Sequence, residues 1–220
     1  MSSAATSAAR LPRAERERQI LDVAHARFSE RGFAAVTMGD VAAEVGVTKP
    51  LLYNYWGNKE RLYLACLQRD AEELTRTIAA AVGAAPTPAD TLAAGVRAFF
   101  DFADSQRGAF RVLFDETLPA GGEIAASVAE HRRRILDIVA DSLLDQFEPR
   151  SRRKVRIEVE ALSHALLGSA EALARWWLST GELSARQTAD LLISTVASGL
   201  RERSAPAGLR SPTEAVPGGT

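Results

Sequence analysis

The chain has one cysteine, Cys66, and three histidines, His25, His131 and His164, far apart in 220 residues. A lone cysteine forms no internal disulfide, and no histidine has the neighbours that metal-ligand spacing demands, so neither a disulfide framework nor a metal site is expected. Cys66 reads as a small buried hydrophobe on a helix. No apolar run reaches the roughly 18 residues that a membrane helix needs. The opening MSSAATSAAR has no basic region followed by an apolar core of about 7–15 residues, so it does not read as a secretory leader. A cytoplasmic location with no membrane partner is the expectation. Excess charge is missing too: 27 basic against 28 acidic side chains leave a formal charge of −1. That balance excludes a chain that coats nucleic acid through bulk charge, so any nucleic-acid binding must come from a local arrangement. No glycine-rich phosphate loop, nucleophile elbow or zinc signature occurs, and the three histidines fall on separate expected helices. The sequence therefore reads as a non-enzyme, with no cofactor implied.

What is present is helical periodicity. A hydrophobic share of 46% with 25% charged residues is ordinary for a globular protein, and the length suffices for one or two domains with a real core. Strict alternation nowhere persists between turn signals, so no strand is expected. From Arg13 to Arg31, Ile20, Val23, Ala24 and Phe28 recur at three- and four-residue spacing, and Gly32 followed by Phe33 supplies a stop. Thr37 reads as the N-cap of a second helix carrying Val41, Ala42 and Val45 and closed by Gly46. Thr48 reads as the cap of a third helix, about Lys49 to Trp56, with Pro50 tolerated in its first turn. Gly57 ends it, Asn58 caps again, and a fourth helix runs through Leu62, Ala65 and Leu67 to about Val82. After GAAPTPAD, with Asp90 or Thr91 as cap, helices are expected near 91–105, 107–117, 123–147, 151–179 and 184–202. From Ser204 onward the sequence is rich in proline, glycine and small residues, the composition of a disordered tail.

Two short helices joined by a glycine-containing turn form a helix-turn-helix, which in DNA-binding proteins lays its second helix in the major groove. In GVTKPLLYNYW, at about 100° per residue, Leu52, Tyr55 and Trp56 fall on a packing side and Pro50, Leu51, Tyr53 and Asn54 on the other. An outward leucine and proline suit the thymine methyl group, and an outward asparagine suits an adenine edge. Lys49, Lys59 and the hydroxyls of Tyr53 and Tyr55 are placed to meet phosphates, as are the helix N-termini at Thr37 and Thr48.

Residues 13–66, and within them ILDVAHARFSERGFAAVTMGDVAAEVGVTKPLLYNYWGNKERLYLAC, resemble the N-terminal domain of the TetR/AcrR family of transcriptional regulators. The spaced elements RGF…T, VA…GV, LY.YW and NKE.L agree with it in order. The resemblance implies that Thr37 meets a phosphate at the second helix, that Lys49, Pro50, Leu51 and Asn54 face bases, and that Tyr53, Tyr55 and Lys59 face phosphates. Met38 and Gly39 stand where some relatives reach bases, so reading from the second helix is expected to be weak. The family architecture implies an all-α chain: a flexible tail over 1–12, a three-helix DNA-binding domain over 13–60, a larger helical domain over 61–203 that binds an effector and dimerises, and a tail over 204–220. Its partners would be a double-stranded DNA operator, a second copy of the chain and a small hydrophobic effector.

Beyond residue 90 the resemblance is one of architecture. Ala161, Ala165, Gly168 and Ala172 form a small-residue stripe that suits close approach of a partner helix, and with TADLLISTVASGL they would build a four-helix dimer bundle. Leu166 and Leu192 are the expected interface leucines. Arg132 to Arg134 and RSRRKVR read as solvated helix faces rather than a second nucleic-acid patch. Phe99, Phe102, Phe110, Phe114, Trp176 and Trp177 concentrate aromatics on three helices and are expected to line an apolar cavity, with Arg97, Arg111 or Arg175 meeting a polar head. The function expected is a ligand-responsive repressor that binds a palindrome as a homodimer and is released by a hydrophobic effector. The alternative is a helical small-molecule or lipid-binding protein without sequence-specific DNA binding.

Overall fold

Nine α-helices follow one another without a strand among the described residues, which in this computed structural model are 12–204, with side chains described to residue 196. The tails expected at 1–12 and 204–220 lie outside the described residues apart from residues 12 and 204. In α1 (Arg13–Ala35) the buried residues Ile20, Ala24 and Phe28 recur every four positions. Regular helix breaks at Gly32, with φ 75° and ψ 165°, a backbone state that glycine adopts without a Cβ penalty. The break turns Phe33 back into the core, where it packs edge-on against Tyr63.

Helix α2 (Met38–Val45) starts in a capping box: the Thr37 hydroxyl oxygen accepts from the Asp40 N–H at 3.2 Å, and the Asp40 carboxylate accepts from the Thr37 N–H at 2.9 Å. The Thr37 amide, then its hydroxyl, hold the Asp40 carboxyl below its usual range. Left-handed Gly46 closes α2, and the Val47 N–H reaches back to the Ala42 carbonyl at 3.0 Å. Helix α3 (Lys49–Trp56) follows, then α4 (Lys59–Gly83), whose first turn is capped by Asn58 accepting from the Arg61 N–H at 2.7 Å.

The remaining helices are α5 (Pro88–Ser105), α6 (Arg107–Leu113), α7 (Gly122–Leu144), α8 (Pro149–Thr180) and α9 (Ala185–Ser204). Two of them differ from the sequence expectation. Thr87, rather than Asp90 or Thr91, occupies the N-cap position of α5, with its hydroxyl on the Asp90 carboxylate at 2.6 Å. Pro88 then sits at the helix start, where no amide donor is needed. Helix α6 stops at Leu113 instead of 117, because Asp115 and Thr117 are engaged with the end of α1.

The apolar side chains gather into two cores. One holds α1 to α3 together with Leu62, Tyr63, Cys66 and Leu67 from the first half of α4, and it takes in Val112 and Ile124 from farther along the chain. The other holds Leu74 and Ile78 from the second half of α4 with α5 to α9. A division at residue 60 therefore falls at the start of an element that serves both cores.

Candidate DNA-reading head and effector cavity

The head is fastened on its inner side. Leu52 is fully buried, and Tyr55 and Trp56 are half-buried against the same core. Burying a leucine is worth about 1.5–3 kcal/mol, enough to fix which side of the eight-residue α3 faces out. Its other side presents Lys49, Pro50, Tyr53 and Asn54 to solvent, with Leu51 half-exposed beside them. Tyr53 is 43% exposed, with an apolar ring and a polar tip suited to a side chain that leans on a partner. This is the face that the sequence pattern assigned to DNA. The α2–α3 pair is braced by an Arg27–Glu44 ion pair between α1 and α2 and an Arg69–Asp22 pair at 2.7 Å between α4 and α1.

Two of the expected DNA contacts, Thr37 and Lys59, are occupied within the fold. Thr37 gives both its amide and its hydroxyl proton to Asp40, at 2.9 and 2.8 Å, so neither points outward. Thr48 stands at the N-cap of α3 without a side-chain capping hydrogen bond among the described residues, so the cap read from sequence is one of position only. Lys59 donates to the Phe33 carbonyl at 3.0 Å and lies 4.2 Å from the centre of the Phe33 ring. Its first task is to tie α4 to the end of α1, where the break at Gly32 leaves a carbonyl to be satisfied. Tyr55 carries Arg13 over its ring at 5.3 Å.

A second tie was not legible in the sequence. The Asp115 carboxylate accepts from the Phe33 N–H at 2.6 Å, while the Thr117 hydroxyl accepts from the Ala34 N–H at 3.3 Å and donates to Asp115 at 2.7 Å. Alongside it the buried Tyr63 hydroxyl donates to the Val112 carbonyl at 2.6 Å, and burial pushes its pKa upward. Together these bonds bind the segment around α6 to the head. Cys66 is buried as expected, and that burial pushes its thiol up to about 12, leaving no thiolate for chemistry.

Two small cavities lie in the larger core. The first, about 40 Å³, lies among α4, α5, α7 and α8 and is lined by Ile78, Val82, Val96, Phe99, Ile138 and Ala170 among others. Its two hydroxyls are already bound, Ser142 to the Ile138 carbonyl and Thr91 to the Pro88 carbonyl, both at 2.8 Å. The second, about 60 Å³, lies between α4 and α7 and is lined by Leu67, Ala71, Phe114, His131, Arg132 and Glu171. Ile135 and Leu167 belong to both walls.

The aromatic set expected to line one cavity is divided. Phe99 faces the first cavity and Phe114 the second. Phe110 and Phe114 both line an outer groove between α1, α6 and α8, together with Arg111 and Arg175, while Phe102 is simply buried. Trp177 is core, its indole N–H donating to the Leu183 carbonyl at 2.6 Å and its ring edge-on to Phe100. Trp176 is 46% exposed and lines neither cavity. Adjacent helical residues point about 100° apart, so both tryptophans could not face one space. Arg97 is held by Asp190 at 2.8 and 3.0 Å, Arg175 faces Glu116 at 3.7 Å, and Arg111 is exposed. None of the three opens into either cavity, where the polar groups are instead His131, Arg132 and Glu171.

Leu166 and Leu192 are each 6% exposed and belong to the monomer's own core, which corrects their reading as interface residues. The open apolar side of α8 carries Ile157, Ala161, Ala165, Ala172 and Trp176, and α9 adds Leu191. Arg133 pairs with Asp137 and Arg134 with Glu130 on an exposed face, and in the second run Arg152 pairs with Asp145 while Arg153, Lys154 and Arg156 are exposed; Arg132 differs, pairing with the buried Glu171 at the wall of the second cavity. No helix among the described residues is long and apolar enough to cross a membrane.

This geometry meets its counterparts among known proteins. Residues 20–66 match the family model described as bacterial regulatory proteins, tetR family, and residues 88–199 match that of the tetracyclin repressor-like C-terminal domain. The chain is 32% identical over 170 residues to the HTH-type transcriptional activator FasR of Mycolicibacterium smegmatis, spanning 77% of this chain and 75% of that protein. A TetR-like transcriptional regulator from Rhodococcus sp. RHA1 superposes with a TM-score of 0.72 at 32% identity, over 87% of this chain and 99% of that one. A tetR-family regulator from Streptomyces coelicolor gives 0.69 at 25% identity, over 89% and 84%. A helix-turn-helix head on a larger helical body, matched by both family models and by these relatives, means that the chain belongs to the TetR family of transcriptional regulators.

Proposed function

We propose that two copies of the chain bind a palindromic operator, each laying α3 in one of two successive major grooves, and that an apolar effector filling the body releases them. The observation that carries the DNA half is the polarity of α3: fully buried Leu52 on one side, with Lys49, Pro50, Tyr53 and Asn54 open to solvent on the other. In that frame Asn54 reads an adenine edge, and Pro50 and Leu51 lie against thymine methyls. Lys49 and the hydroxyls of Tyr53 and Tyr55 meet phosphates. Lys59 supports the head and contributes charge at its edge.

Dimerisation follows from the open side of α8 and α9. Ile157 is 81% exposed and Leu191 52%, and an apolar strip of that kind on a single copy favours burial against its two-fold mate. The small residues Ala161, Ala165 and Ala172 let the helices approach closely.

Effector response follows from the position of the second cavity. Leu67 lines it and also belongs to the head core, while Phe114 lines it one residue before Asp115. Cavities of about 40 and 60 Å³ lie below the roughly 300–1,000 Å³ of a drug-sized ligand site, so occupancy requires α7 to part from α4 and α8. A ligand that binds only the parted state draws the population toward it, shifting α4 and the Asp115 tie and with them both heads. Release or retention raises or lowers transcription according to where the operator lies relative to the promoter. The repressor expectation thus gives way to a sign-neutral one, in keeping with a relative named as an activator. Selection of bound fragments from random duplex DNA tests the proposal: a palindrome of two half-sites supports it, and recovery of unrelated sequences overturns it.

A further inference from the structure

The two cavities differ in one respect that bears on what fills them. Buried side-chain nitrogen or oxygen atoms without a hydrogen-bond partner number two among the described residues, Trp56 Nε1 in the head and His131 Nδ1 in the body. His131 lines the second cavity, and no polar group of the first is left unpaired. A buried polar atom without a partner, on a residue that lines a cavity, is costly to leave as it is, and a ligand with one matching group repairs it. We propose that His131 is the polar anchor of the effector, and that the effector is a slim, uncharged amphiphile. Its carbonyl or hydroxyl would meet His131 Nδ1, while its hydrocarbon chain passes between Ile135 and Leu167 into the first cavity, whose two hydroxyls are already bound. This rests on the effector reading above and adds to it the ligand's chemical class and the residue that selects it.

The uncharged head follows from charge. Arg132 and Glu171 already neutralise one another at the cavity wall, and Arg134 pairs outward with Glu130. Burial, and then Arg134, hold His131 below its usual pKa, only partly offset by Glu130 and Glu72, so at neutral pH the ring brings a hydrogen bond and no charge. A carboxylate seated there would be buried without a counter-ion. Length follows from α7. From His131 at the second cavity to Ser142 at the first, α7 spans about 16 Å at 1.5 Å per residue. An extended chain advances roughly 1.2 Å per bond, to judge from the reach of a peptide, so about a dozen bonds fill the path.

The test uses the full-length protein with 1-dodecanol, 1-chlorododecane and dodecanoate, following the melting temperature over a concentration series of each. The expected result is that dodecanol binds about tenfold more tightly than chlorododecane, the yield of one net hydrogen bond, and also more tightly than dodecanoate. In His131→Phe the preference for dodecanol over chlorododecane vanishes. In His131→Asn, which keeps a polar atom near the position of Nδ1, part of it returns. Equal binding of dodecanol and chlorododecane by the parent, tighter binding of dodecanoate, or an unchanged preference in His131→Phe overturns the anchor while leaving an apolar effector site standing. If none of the three compounds stabilises the parent, the effector reading itself fails and takes the anchor with it.

Discussion

Replacing Asp115 by alanine separates the body from the head at one defined point. Its carboxylate holds the Phe33 N–H at 2.6 Å beside the break at Gly32, and also accepts from the Thr117 N–H at 2.8 Å and the Thr117 hydroxyl at 2.7 Å. A hydrogen bond to a charged group contributes about 1.5–3 kcal/mol. The Thr117 bonds are exposed and add little, so a loss of about 2 kcal/mol is expected. For a chain of this size that corresponds to a fall in melting temperature of about 4–8 °C. Asp115→Asn keeps an acceptor of the same shape and should lose about half as much. Glu116→Ala, at a neighbouring exposed carboxylate, should lose almost nothing. Scanning calorimetry measures stability, and effector-induced release from DNA measures coupling. The alanine variant should hold DNA in the presence of an effector concentration that frees the parent. A melting temperature within 1 °C of the parent, together with unaltered release, would refute the reasoning that this carboxylate joins the two cores.

Asn54→Ala should relax preference at one base pair per half-site, costing about 1–3 kcal/mol there, as measured by affinity for single-base operator variants. Lys49→Ala should weaken all sequences alike and lower the salt slope of binding by about one unit, read from titrations at several salt concentrations. Ile157→Glu or Leu191→Glu, each on an exposed side chain, should give folded monomers with weakened operator binding, because a charge in an apolar interface is heavily penalised; light scattering reports it. His131 resists protonation in the fold, so its share of the stability is complete above about pH 6.5 and drains away as pH falls toward the lowered folded value. The stability difference between parent and His131→Asn should therefore shrink on acidification, as followed by thermal melts.

The helices were legible because punctuation and period agree. Gly32, Gly46, Gly57 and Gly181 all take positive φ at or near helix ends, and Ile20, Ala24 and Phe28 or Val41, Ala42 and Val45 mark buried stripes at helical spacing. The outward face of α3 was legible for the same reason. What failed was anything decided by a distant partner. Helix α6 ends early because Asp115 serves a residue 82 positions away, and Lys59 looks like a free surface lysine until Phe33 is folded beneath it. Leu166 and Ala165 are neighbours in sequence, yet one is core and the other surface, and only the packing of α8 on α5 and α7 decides which. For the two tryptophans a signal existed: the 100° turn between neighbours excluded a shared cavity. His131 carried a weaker one, standing four residues before Ile135 on the inner side of α7.

The central claim is that α3 reads the major groove in two symmetric half-sites. Methylation interference on the selected operator tests it directly, because the reagent marks guanine N7 in the major groove and adenine N3 in the minor groove. The account predicts two blocks of interference at guanine N7, related by two-fold symmetry and centred about one helical turn, or a multiple of it, apart. Interference confined to adenine N3, or a single block without its symmetry mate, would contradict it.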